Sequence, residues 1–317
     1  MTYFEPSFIT IISLSAPLVF VVIGETITER SGVVNLSVEG TILITALTAF
    51  AVAISTNNAS LGVLSAGLVG SLIALIIVLC DIKLNMNQIA VGFVLTILCG
   101  KLSSFLGQNY VRIPGPSLPK VDLPILKNIP YIGPSLFNQN ILVLLSVLLI
   151  PMAWFFLYRT QFGLNLRSVG ENPTSSMSRG INPELMRILG TIIGGFLIGI
   201  GGAAFSLHAK YGWSEGHTGN YGWICLAIVI FGGWNPIRAA LGAYAFGAFQ
   251  LIALKMQSIT IGFTQVLPLI PFPLMIMTLI FIQMFNGEKR RKLPVFLKPI
   301  IGGIEPGSLG KPLKKEK

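Results

Sequence analysis

Residues 25–39 gather three carboxylates, Glu25, Glu29 and Glu39, with Arg30 and Asn35 between two apolar runs. An acid in or beside a membrane helix is costly to hold unless it is paired, so such a group is a functional candidate by default. Arg30 is the local counter-ion in sequence. Asn35 and Glu39 stand four apart, the spacing of one helical face, while Gly32 and Gly40 suggest a broken helix whose backbone lines a cavity or packs within protein. Two uses fit this pattern: an ion-pair lock at the cytoplasmic interface, or a contact to a passing solute. Glu25, Asn35 and Glu39 are therefore candidate pathway or gate residues.

A second polar segment covers residues 170–184. Asn172 precedes Pro173, an N-cap followed by a proline at the first helical position, where its missing N–H costs nothing. Gly180 supplies the positive φ that ends a helix, and Asn182, Pro183 and Glu184 repeat the start signal at once. The segment Glu171, Asn172, Pro173, Thr174, Ser175, Ser176, Met177, Ser178, Arg179 thus spells a helix of about two turns, too polar to insert in lipid. Such a rod on the cytoplasmic face is something a motor protein could push against; a capped interhelix loop fits the spacing equally.

Catalytic signatures are missing. The sequence has no G-x-x-x-x-G-K-[ST] loop for nucleotide phosphates, no H-E-x-x-H and no zinc-spaced Cys/His set. The chain is read as no enzyme, binding no cofactor or metal of its own. Residues 199–204 match a dinucleotide pattern only formally, because they lie inside an apolar helix and follow no strand. Gly190, Gly194, Gly195 and Gly199 instead allow close helix packing. Tyr211, Trp213, Tyr221 and Trp223 read as an interfacial aromatic belt, and His208 and His217 alone form no metal site.

The elements that must carry these residues are membrane spans. Of 317 residues 53% are hydrophobic and 11% charged, against roughly a quarter charged in soluble domains. About 20 apolar residues are needed to cross the hydrocarbon core. Segments 8–24, 36–54, 61–79, 88–106, 141–158, 186–207, 223–231, 237–254 and 266–285 meet or approach that length. The seventh is short, so 221–254 is read as entering, breaking at Gly232-Gly233-Trp234-Asn235-Pro236 and returning, which adds Trp234 and Asn235 to the candidate gate residues. The spans themselves carry no mid-length charge. The fold expected is an all-α polytopic bundle of about 8–10 spans over 1–286, followed by a basic cytoplasmic tail over 287–317.

The net charge of +10 sits mainly in short connections and that tail. This is the pattern of loops facing anionic headgroups, with membrane lipid rather than nucleic acid as the partner. It places 159–187 and the tail inside, and the proline-rich loop 108–140 and the loop 208–220 outside. The first apolar stretch lacks a basic leader region and is read as a retained helix. Cys80, Cys99 and Cys225 lie in or at the ends of apolar runs and form no disulfide framework.

Three motifs, in order along the chain, resemble one family: residues 29–40 (ERSGVVNLSVEG), Val169-Gly170-Glu171-Asn172-Pro173 with Gly180-Ile181-Asn182, and Phe231-Gly232-Gly233-Trp234-Asn235-Pro236. They are similar to the permeases of ABC importers for nucleosides and simple sugars, within the branched-chain amino acid and ribose permease superfamily. Ser176 and Met177 stand where alanines are common. The resemblance implies a bacterial cytoplasmic (inner) membrane protein and a second related permease completing a heterodimer. It also implies ABC ATPase subunits that hold the ATP and Mg, and an external nucleoside-binding protein or lipoprotein. It implies further that Pro173 to Arg179 is the coupling helix to the ATPase. Nucleosides are the expected solute and a simple sugar such as a pentose the alternative. A self-sufficient secondary transporter would call for intramembrane charges or matched inverted halves.

Overall fold

The computed structural model describes residues 5–116, 118, 139–257, 269, 273, 276, 277, 280 and 305–313. Among these residues ten α-helices form in chain order: α1 (Glu5–Arg30), α2 (Val38–Thr56), α3 (Ala59–Leu84), α4 (Gln88–Gly107), α5 (Ile141–Arg159), α6 (Gln161–Glu171), α7 (Pro173–Met177), α8 (Pro183–Ala204), α9 (Tyr221–Phe231) and α10 (Pro236–Gln257). Among the described residues seven helical stretches are long and apolar enough to cross a membrane, and α9 is a shorter apolar helix. In lipid a helix is favoured because it satisfies every backbone amide within the segment. The starts are written in sequence: Asn58, Asn87 and Asn140 each accept a backbone amide of the first turn of α3, α4 and α5. The span expected over 266–285 lies almost wholly outside the described residues.

α8 is the centre of the bundle, packed on α1, α2 and α3. Its glycines make this possible. Gly194 lies against the Gly24 carbonyl and Thr28 of α1, while Gly195 and Gly199 lie against Gly70, Ala66 and Gly67 of α3, where a Cβ would collide with backbone. Small residues of this kind let helices approach where no hydrophobic drive exists between them. Outward faces of α3, α4 and α5 carry exposed Leu68, Phe93, Phe105 and Phe155, as a lipid-facing surface should.

Several expectations are corrected. α1 does not end at Gly24 but runs to Arg30, so Glu25 and Glu29 are helical. Asn35 is not helical and shares no helix face with Glu39; residues 31–37 form an irregular link. That link climbs back into the bundle. Leu36 packs on Gly92, its carbonyl accepts a bond from Thr96 Oγ1 at 2.6 Å, and Gly40 lies against the Thr96 backbone. Thr96 is near the middle of α4, so α2 starts at mid-depth and Glu39 sits there, not at the cytoplasmic boundary. An amphipathic helix, α6, precedes α7 and was not expected, and α7 has five residues in place of two full turns. The aromatic belt is partial: Trp213 is buried against Gly107, and Tyr221 packs on Phe205 and Phe246.

Candidate translocation pathway and coupling surface

α9 starts at mid-depth, like α2. The loop before it leads from Trp213, packed on Gly107 at the end of α4, and Gly222 seats directly on the Glu39 backbone, with no room for a side chain. Glu39 joins the two helix starts: Oε1 accepts from Thr218 Oγ1 at 2.6 Å and Oε2 from the Gly222 amide at 2.7 Å. A carboxylate is well placed there, because first-turn amides lack intrahelical partners and carry the positive end of the helix dipole.

Beside this junction, Asn35 Nδ2 donates to Glu25 Oε2 at 3.1 Å, and Asn35 Oδ1 accepts from the Ser37 amide and hydroxyl at 3.0 and 2.7 Å. Ser37 Oγ lies 3.0 Å from Thr41 Oγ1. All of these residues are buried, and Glu25 Oε1 has no hydrogen-bond partner among the described residues. Glu25, Asn35 and Glu39 are thus brought together with Ser37, Thr41 and Thr218 where the chain is broken twice.

Trp234 and Asn235 do not join them. They lie in the turn between α9 and α10, where Gly233 and Trp234 adopt φ of +64° and +52°. Asn235 Oδ1 accepts the Ile237 amide at 3.0 Å, the role of a cap. Trp234 Nε1 donates to Glu29 Oε2. Arg30 Nε donates to the Trp234 carbonyl at 2.8 Å and Nη2 to the Gly233 carbonyl at 3.2 Å. Among the described residues the acid that pairs with Arg30 is Glu171, with Nη1 to Oε1 3.5 Å, and not the acids of its own segment.

Glu171 ends α6. Asn172 Oδ1 then caps α7 through the Ser175 amide at 3.0 Å, Gly180 takes φ of +78°, and Asn182 Oδ1 caps α8 through the Leu185 amide at 3.2 Å. Ser176 turns inward, its Oγ on the Asn172 carbonyl and on Ser168 Oγ, while Thr174, Ser175, Met177 and Arg179 are exposed. In the loop before α9, His217 Nδ1 donates to the Ser214 carbonyl at 2.9 Å, and burial pushes the imidazole down to about 4. Among the described residues no group of three or more His, Cys, Asp or Glu side chains could hold a metal ion.

Residues 7–282 match the family described as branched-chain amino acid transport system / permease component. The chain belongs to this permease family. It is 36% identical over 251 residues to a putative glucose ABC transporter permease of Haloferax volcanii, covering 78% of this chain and 76% of that protein. It is 32% identical over 291 residues to a nucleoside ABC transporter permease of Lactococcus lactis, covering 86% and 90%. It is 33% identical over 253 residues to a guanosine ABC transporter permease of Bacillus subtilis, covering 76% and 79%. No solved structure matches it. The permease is therefore the multi-pass membrane subunit of an ABC importer, in a class of machine whose ATP-hydrolysing and solute-binding parts are separate.

The permease also contains a polar site that sequence reasoning missed. Arg187, fully buried near the start of α8, pairs with Asp81 of α3 at 3.0 Å. Nη1 and Nη2 also reach residues near the C-terminus, the Lys311 carbonyl at 3.0 Å, the Ser308 carbonyl at 3.4 Å and Ser308 Oγ at 3.3 Å, while Nε has no partner among the described residues. Ser308 Oγ donates toward the Gly170 carbonyl at 2.8 Å, beside α7. Two charges in apolar segments 106 positions apart were the available signal, since each would be expensive alone.

Proposed function

We propose that this permease forms the pathway for nucleosides in an ATP-driven importer and that α7 is its coupling helix. The observation that carries the pathway is the mid-depth junction at Glu39. Two interrupted helices meet there, as at transporter sites where irregular backbone lines a cavity near the bilayer midplane. Buried carboxylates, an amide and hydroxyls offer acceptors and donors for ribose hydroxyls and base edges, and Tyr221 beside them offers a ring face. The relatives named for nucleoside and guanosine transport, each aligned over three quarters or more of this chain, favour that solute. A simple sugar is the second reading, favoured by the relative named for glucose.

In this reading Glu171 to Arg179 docks on an ATPase subunit. Arg30 links that segment to the Gly233-Trp234 turn and hence to α9, so movement of α7 is carried to the junction as a rigid-body tilt, exposing the polar site alternately to either side. A second related permease completes the pathway, and an external nucleoside-binding protein delivers solute. ATP and Mg stay with the ATPase, because the chain has no phosphate loop. The test is uptake of labelled guanosine by the full complex with Glu39→Gln and Thr218→Val permeases. Both should assemble with the ATPase and lose about tenfold or more in uptake, ~1.4 kcal/mol; wild-type uptake in both would remove the junction from the pathway.

A further inference from the structure

Residues 305–313 return to the same end of the bundle as α7 and lie beside it. The Ser308 amide donates to the Gly170 carbonyl at 2.9 Å, the Gly307 amide to Glu171 Oε2 at 3.2 Å, and Leu313 is buried. The Arg187 guanidinium fixes the segment from below. Its charge is balanced by Asp81; Nη1 also reaches the Lys311 carbonyl and Nη2 reaches Ser308, while Nε has no partner among the described residues. Losing the bonds to Ser308 and Lys311 would leave more of a fully buried guanidinium unpaired, which is costly, so Arg187 ties this stretch to the bundle.

Between this strap and α7 lies an open cavity of about 490 Å³, walled on one side by Pro173, Thr174 and Met177 and on the other by Lys311, Pro312 and Leu313. Met177, an apolar group on a mostly polar helix, is 50% exposed and lines this cavity. We propose that the strap is the second half of the ATPase docking surface. A projecting apolar side chain of the ATPase subunit enters the cavity between α7 and the strap, flanked by acidic groups that meet Arg179 and Lys311.

The inference rests on the coupling role of α7 and adds a partner element to it. Thr174, Met177, Lys311 and Pro312 line one cavity, so a side chain that fills it touches both α7 and the strap. Lys311 on its rim and Arg179 just past α7 are exposed, and Lys314, Lys315 and Lys317 follow in sequence; against them stand Glu171 in the lining and Glu316, so the face is net positive and the matching surface is acidic. Anionic lipid would satisfy the lysines but not an apolar cavity entered beside a polar helix; the partner is a protein.

The experiment places a photo-crosslinking benzoylphenylalanine at Thr174, at Pro312 and, as a control at the far end of the bundle, at Ser55, in the assembled complex in membranes. Adducts to the ATPase from Thr174 and Pro312 but not from Ser55 are expected. An ATPase adduct from Thr174 with none from Pro312 overturns the strap proposal and leaves the coupling helix standing. Adducts from Pro312 only to lipid or to the second permease also overturn it. No ATPase adduct from either position overturns both. In parallel, Lys311→Glu should lower ATPase retained on purification about fivefold at low salt without changing the melting temperature of the permease, and unchanged retention contradicts the acidic match.

Discussion

Arg30 and Glu171 meet where their two helices end, with Nη1 and Oε1 3.5 Å apart, and the same guanidinium grips the Gly233 and Trp234 carbonyls. The pair therefore joins three distant stretches: the end of α1, the segment entering α7, and the turn between α9 and α10. Glu171 is 52% exposed, and ion pairs of that kind contribute about 0–1 kcal/mol to stability. What the contact supplies is connection. Arg30 ties the segment entering α7 to the turn at the end of α9, whose start lies one helix length further at Glu39.

Glu171→Gln should accordingly leave the melting temperature of the permease almost unchanged, with stability within about 0.5 kcal/mol. Transport per ATP hydrolysed should fall roughly fivefold, the lower range of allosteric coupling energies. Arg30→Met, which also frees two carbonyls, should be the more severe. Parallel ATPase and uptake assays on one reconstituted complex check this, and equal losses in both would contradict a linking role.

The Asp81 and Arg187 pair should behave differently because both side chains are almost completely buried. Removing one partner, as in Asp81→Ala, leaves an uncompensated charge and should cost about 3–5 kcal/mol. Asp81→Leu with Arg187→Met should recover part of this. Recovery stays incomplete, since the Ser308 and Lys311 carbonyls lose their donor. Thermal unfolding of the three variants in detergent reads the series.

Packing at α8 yields a third expectation. Gly195→Val would place a side chain against the Gly70 carbonyl and Ala74 of α3. Overpacking of this kind costs about 1–3 kcal/mol or forces helices apart, so folded yield should drop. Gly180→Ala, in open space but at φ of +78°, should cost about 1 kcal/mol through backbone strain alone. Yield and melting temperature in the same detergent compare the two.

His217 sets a pH dependence for the outer loop. Burial lowers its folded pKa to about 4 from 6.5. The unfolded loop therefore binds the proton more readily than the folded one, and stability from this group is complete above pH 6.5 and is lost as pH falls toward 4. Amide exchange across residues 210–220 should quicken over that window, and His217→Gln should flatten the change. A pH-independent exchange profile in the wild type would contradict a depressed pKa at this half-buried imidazole.

Much of this was legible in the sequence because local rules govern it. The asparagine caps before α7 and α8, the positive φ at Gly180, the break before Pro236 and the close packing along Gly194, Gly195 and Gly199 are each written within a few residues. Depth and partnership were not. Asn35 and Glu39 have helical spacing, yet the chain from Ser31 to Ser37 turns back into the bundle, driven by contacts with Gly92 and Thr96 some sixty positions away. Arg30 has three acids within ten residues and pairs with none of them among the described residues, and Asp81 finds Arg187 across 106 positions. Long-range choices of this kind are made by which helices pack together, and the glycines that decide it reveal closeness without naming the neighbour.

The central claim is tested most directly in proteoliposomes holding the complete complex, with ATP sealed inside, the solute-binding protein outside, and labelled guanosine or uridine as cargo. The account predicts accumulation that requires internal ATP, is competed by unlabelled nucleosides and not by pentose, and falls about tenfold or more with Glu39→Gln. Accumulation driven by an ion gradient without ATP, or uptake of sugar with none of nucleoside, would contradict it.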